Sequence, residues 1–175
     1  MCKTLPFLAR RAAAALIAAP LMFGAVSLPG IVSAAPVSVS VHAVHGAWQS
    51  FSLASDNGTS FGAMTKMSKG GTAAFVLDGD SVTLFLSDES WDLDADREVP
   101  LRVRIDGDTM TGTALIVTRT MVEMRGITPE ALRKLAAGAQ AVIDVDDGDI
   151  VWSLDLHGFT EAMSDALRLH KASYR

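Results

Sequence analysis

Residues 101–118 read LRVRIDGDTMTGTALIVT, and the reading of the fold starts from this stretch. Leu101, Val103 and Ile105 alternate with Arg102 and Arg104, the period of two that places apolar side chains on one face of a half-buried strand. Asp106-Gly107 follows, and a second extended run covers 109–118. An Asp-Gly pair tolerates the positive φ of a tight hairpin, so the two runs read as antiparallel neighbours. A parallel pair would need a crossover of about a dozen residues, which the spacing does not leave.

The same pattern extends in both directions. Val82, Leu84 and Leu86 alternate, with Phe85 on the opposite face. Ile150, Trp152, Leu154 and Leu156 alternate with Val151, Ser153 and Asp155, and Ala141, Ile143 and Val145 pair with them across Asp146-Asp147-Gly148-Asp149. Further strands are expected at 48–53, 60–67, 73–78 and 120–125, with Asn57-Gly58 and Asp78-Gly79 as turns. Two helices interrupt the run. Thr128-Pro129-Glu130 gives a cap, a first-turn proline and an early acid, predicting a helix over about 128–137 that Gly138 closes. Phe159, Ala162, Met163, Ala166 and Leu167 form one apolar stripe, predicting a second helix over about 159–169. The expected fold is mainly β: an antiparallel β-sandwich or squat barrel of about 8–9 strands with two short helices, one domain over 47–172.

Composition bounds the rest. Among 175 residues, 49% are apolar, and the formal charge is −5. Residues 1–34 read as a secretory signal: Lys3, Arg10 and Arg11 precede the apolar run Ala12–Leu28, and Val32-Ser33-Ala34 offers the small residues of a cleavage site after Ala34. The run is interrupted by Pro20 and Gly24 and falls short of the roughly 20 residues of a spanning helix. Residues 35–46 are expected to be a flexible leader. Removing three of the fifteen basic residues with the signal leaves twelve against twenty acidic ones, a charge of −8. That balance argues against nucleic-acid partners, and no transmembrane segment remains after signal removal. The single cysteine, Cys2, leaves with the signal, which excludes thiol catalysis, zinc-thiolate sites and iron–sulfur clusters from the mature chain. The implied location is periplasmic or secreted.

The run Trp91-Asp92-Leu93-Asp94-Ala95-Asp96-Arg97-Glu98 draws attention because alternate carboxylates resemble the opening of a calcium loop. Arg97 and Val103 stand where an EF-hand needs its glycine and closing glutamate, so a solvated loop between strands is the plainer reading, with a looser calcium site still open. Asp144–Asp149 reads as a charged hairpin turn. His42 and His45 are three apart in the leader and read as surface imidazoles, short of the third ligand that a metal site requires. His157, before Gly158, stands at a strand-to-helix junction where it could orient a backbone carbonyl. No Ser-x-x-Lys pair or phosphate loop occurs. Trp152 is in phase with core residues, whereas Trp91 is the candidate for an exposed anchor.

Trp48 opening an early strand, the Asp106-Gly107 hairpin and the ending Ser153-Leu154-x-x-x-Gly158-Phe159-x-x-Ala162 together resemble the invasion-associated locus B family over about residues 46–170. The resemblance implies a small exported bacterial β-sandwich protein, in the periplasm or at the outer envelope, associated with host-cell invasion or survival and without enzymatic activity. Many members carry cysteines that this chain lacks, and Phe61 and His170 stand roughly where such a pair would lie. The expected function is therefore noncatalytic binding of a protein or cell-wall component, without cofactor or metal. Trp91, Phe85 and Leu93 form the candidate apolar contact and Asp92, Asp94 and Asp96 its charged surround. The alternatives are an inhibitor of lysozyme or a protease, whose acidic loop 88–98 would complement a basic enzyme, and a carboxylate- or metal-dependent hydrolase.

Overall fold

Asp106 and Gly107 both take positive φ, +46° and +97°, and the runs on either side pair from Ile105↔Asp108 to Glu98↔Leu115. The structure, a computed structural model, describes residues 38–173 apart from Asn57, Asp80 and Asp149. The signal read over 1–34, and residues 35–37 of the leader, lie outside the described residues. The strands are β1 (Ser38–His45), β2 (Trp48–Ser55), β3 (Gly58–Lys66), β4 (Thr72–Asp78), β5 (Ser81–Ser87), β6 (Glu98–Ile105), β7 (Asp108–Thr118), β8 (Met121–Met124), β9 (Gln140–Val145) and β10 (Ile150–Asp155). They form one unclosed antiparallel sheet of ten strands in the order β1-β2-β3-β4-β5-β8-β7-β6-β9-β10.

The expected β-class is the observed one, with one strand more. Residues 38–45, expected within a flexible leader, are β1 and pair with β2 from Ser38↔Ala54 to His45↔Trp48. Val39, Val41 and Val44 of β1 are exposed, so backbone pairing rather than apolar burial holds this edge strand. A side-chain tie helps. His45 Nε2 lies 2.7 Å from Asp165 Oδ2, and Asp165 also accepts from Arg168 at 2.9 Å. Those two hydrogen bonds, Arg168's first, hold the Asp165 carboxyl below the ordinary aspartate range. His42, expected to be a surface imidazole, is exposed and shares a 2.8 Å hydrogen bond with Ser52.

β1 to β5 follow one another as a meander, and then the order breaks. Residues 88–97 carry the chain from β5 past β8 and β7 to β6. Residues 125–139 carry it back at the opposite strand ends, through α1 (Pro129–Ala137), to pair β9 with β6. Thr128 caps α1 by accepting from the Ala131 amide at 3.1 Å, as its sequence predicts. The second helix, α2 (Phe159–Ser173), starts at the expected residue and runs past the expected end, burying Phe159, Ala162, Met163 and Ala166 against β2 and β3. Gly158 opens it at φ +91°, where any Cβ would run into the His45 carbonyl.

The sheet curls until β10 runs along the β1–β2 and β3–β4 turns. Trp48 Nε1 donates to the Asp155 carbonyl at 2.7 Å, Ala47 N to His157 O at 3.2 Å, and Ser153 N to Ser68 Oγ at 3.1 Å. Inside the roll, Trp48, Phe75 and Phe159 meet edge-on or tilted, with centroids 4.9–5.9 Å apart. Phe61 and His170 are also in edge contact, at 6.1 Å, so the two positions singled out by the family resemblance lie together. A second, smaller cluster of Phe51, Leu53, Ala74, Val76, Phe85 and Met121 occupies the opposite face of β2–β5.

Candidate functional site

Residues 88–98 lie where the chain must cross the ends of two strands. An irregular segment has main-chain groups that need partners, and here the neighbouring strand ends supply them. Asp88 N donates to Thr120 O at 3.1 Å, Leu93 N to Arg119 O at 2.9 Å, and Asp96 N to Ile116 O at 2.8 Å, while Ile116 N returns a bond to Arg97 O at 2.8 Å. Asp88 organises the start of the loop: its Oδ1 accepts from the Ser90 amide at 2.8 Å and from Ser90 Oγ at 2.6 Å. Asp96, at φ +63°, makes the last bend before β6.

Side chains along the crossover alternate. Trp91 and Leu93 are half-buried against the main core, and the Trp91 ring lies 4.2 Å, centroid to centroid, from the buried Trp152 ring at a 41° tilt. Asp92, Asp94 and Asp96 are exposed, as are Glu89 and Glu98. Two arginines reach into this acidic end. Arg119 Nε lies 2.7 Å from Asp92 Oδ1, and Arg97 Nη2 lies 2.5 Å from Asp146 Oδ2 at the β9–β10 turn. Each partner in the first pair is 73% exposed, so it adds about 0–1 kcal/mol and leaves the main-chain bonds as the chief restraint.

Five of the six residues singled out in the sequence share this crossover. The sixth does not. Phe85 sits in mid-β5, 6% exposed, packed in the second apolar cluster with Phe51 and Met121. It does face away from Leu84 and Leu86, but that face has an apolar cluster of its own. Trp91 is also less free than an exposed anchor, because its ring packs at a tilt against Trp152. Asp144, read as part of a charged turn, is instead in β9, its side chain 9% exposed and 3.2 Å from Arg102 Nη1. Among the described residues, no group of three or more His, Cys, Asp or Glu side chains is placed to hold a metal ion. Sequence reasoning missed the pairs Arg119–Asp92 and Arg97–Asp146, whose partners are 27 and 49 residues apart in the chain. No local spacing could have shown those pairs.

No family model and no curated protein matches the chain. Among solved structures it is similar to invasion associated protein B from Bartonella henselae, with a TM-score of 0.57 and 16% identical residues. The similarity covers 75% of this chain and 99% of that one. At this identity the likeness is one of fold: nearly the whole of the Bartonella protein has its counterpart here. Among the described residues, no helix is long and apolar enough to cross a membrane.

Proposed function

We propose that the chain is an exported, noncatalytic envelope protein that binds a protein or cell-wall partner through the end of the roll carrying residues 88–98. The supporting observation is the fold shared with invasion associated protein B over 75% of the chain. The signal pattern of residues 1–34 supports export, and a location in the periplasm or outside the cell follows from it. The binding role rests on the crossover itself. Its main chain is pinned, so the exposed carboxylates of Glu89, Asp94, Asp96 and Glu98 project from a prearranged surface, which lowers the ordering cost of association. Their sign favours a basic partner and makes encounter salt-dependent.

Crosslinking in intact cells, followed by identification of the captured species, tests the reading. An Asp94→Lys/Asp96→Asn variant should keep its Tm and lose capture by tenfold or more. Capture unchanged by that variant would overturn the assignment of the site. Inhibition of a basic lysozyme or protease is the special case in which the partner is an enzyme. Inhibition at low salt that fades as ionic strength rises would support it, and none at low salt would exclude it.

A further inference from the structure

At the end of the roll where α1 crosses, a cleft of about 330 Å³ opens between the helix and β6, β7 and β8. Its floor is the main core itself: Phe75, Leu84, Leu101 and Leu135, each 1–4% exposed. Gly112 lies opposite Leu101 on β7, and a Cβ there would run into Met124 Cε, so a methionine side chain from β8 lines this part of the cleft in place of a β7 side chain. Met110 and Met124 line the walls, and unbranched thioether chains with three rotatable bonds repack readily around a guest.

The dimensions and the mouth select the guest. This volume is at the small end of ligand pockets, roughly 300–1,000 Å³, and too small to admit a partner's helix. At the rim, Lys134 Nζ is 3.0 Å from Asp108 Oδ2 and 3.9 Å from Glu130 Oε1. The hydrogen bond to Asp108 raises the Lys134 pKa, so the ammonium is charged and already engaged by two carboxylates. An anionic head would have to displace them. The two carboxylates at the same mouth repel an anion as well, so an uncharged head suits it better.

We propose that this cleft binds one aliphatic chain of an amphiphile whose head is uncharged and hydrogen-bonding, the chemistry of a monoacylglycerol or a long-chain alcohol. Burial of the chain against Phe75, Leu84 and Leu101 supplies the affinity, and the ion-paired mouth favours an uncharged head. The site is separate from the acidic crossover and does not depend on its role.

Calorimetric titration of the purified protein with 1-monoacylglycerols of six to twelve acyl carbons, below their micelle concentrations, tests this. Binding should be one-to-one and tighten about threefold to fourfold per added methylene until the cleft is full, then level off. Decanoate should bind at least tenfold more weakly than 1-decanoylglycerol. Ala131→Phe, from the α1 side of the cleft, should cut affinity tenfold or more without lowering Tm. Met110→Phe fills the same space from β7 and serves if Ala131→Phe fails to fold. Absence of saturable binding, affinity independent of chain length, or undiminished binding by both variants would overturn the proposal. Equal binding of decanoate would overturn the assignment of an uncharged head.

Discussion

Residues 88–97 and residues 125–139 each carry the chain over intervening strands, one at each end of the roll. The first has no helix or strand of its own and lies against β7 and β8 through main-chain bonds from Asp88, Leu93, Asp96 and Arg97. The second forms α1, whose interior amides and carbonyls bond to one another, so it meets the sheet mostly through side chains. Leu135 is its buried residue, with further ties from Thr160 Oγ1 to Ala136 O at 3.1 Å and from Ala139 N to Asp106 Oδ2 at 3.1 Å. A segment with unsatisfied backbone seals the end it crosses, whereas a helix is self-sufficient and can stand off. The acidic end is accordingly a closed, charged surface, and the α1 end retains an apolar cleft.

Removing the ring on which the acidic end rests should have the largest effect. Trp152→Ala deletes a buried indole and its tilted contact with Trp91, and should cost about 3–5 kcal/mol in urea unfolding. Amides of Leu93 and Asp96 should then exchange with solvent faster than those of α1. A loss under about 1 kcal/mol would show that the crossover stands without its aromatic floor. At the other end, Leu135→Ala should cost about 2 kcal/mol, the low end for such a truncation, because this side chain already borders open volume. A cost as large as that of Trp152→Ala would mean that the two ends are equally well packed.

How far each end could be read from the sequence follows from the same physics. Nine strands were legible because apolar alternation and the Asn57-Gly58, Asp78-Gly79, Asp106-Gly107 and Asp147-Gly148 pairs are local signals. β1 was not, since its valines remain exposed and its place depends on pairing with β2 and on the distant Asp165. The pairings β5–β8 and β6–β9 join segments separated by crossovers, and no turn dipeptide marks them. Within the candidate site, the in-and-out alternation of Trp91, Asp92, Leu93 and Asp94 could be seen, but the burial of Phe85 is a product of the second cluster. For the cleft, the trace in the sequence was one glycine, Gly112, inside an otherwise regular strand run.

A smaller effect separates helix from loop. Thr128→Ala removes the hydroxyl that accepts the Ala131 amide and should cost about 1 kcal/mol, read as a Tm drop of a few degrees with the acidic end undisturbed. The loss should be local: faster amide exchange in the first turn of α1, with Leu93 and Asp96 unchanged. If protection falls at both ends together, the crossovers unfold as one cooperative unit and the contrast between them is static only.

The smallest expected effect bears most directly on how the acidic end is held. Arg119 and Asp92 form an ion pair on the crossover, yet both side chains are largely in solvent, where screening and side-chain entropy offset most of the Coulomb gain. Arg119 also contributes its carbonyl to the Leu93 amide, and that bond survives any change of side chain. Arg119→Ala should therefore shift unfolding by no more than about 0.5 kcal/mol and leave Leu93 protected from exchange. A cost well above 1 kcal/mol, with Leu93 exchanging freely, would reverse the account: side-chain charge would then be ordering the main chain. In that event raising the salt concentration should loosen the wild-type crossover as well, whereas backbone anchoring predicts that its protection is indifferent to salt.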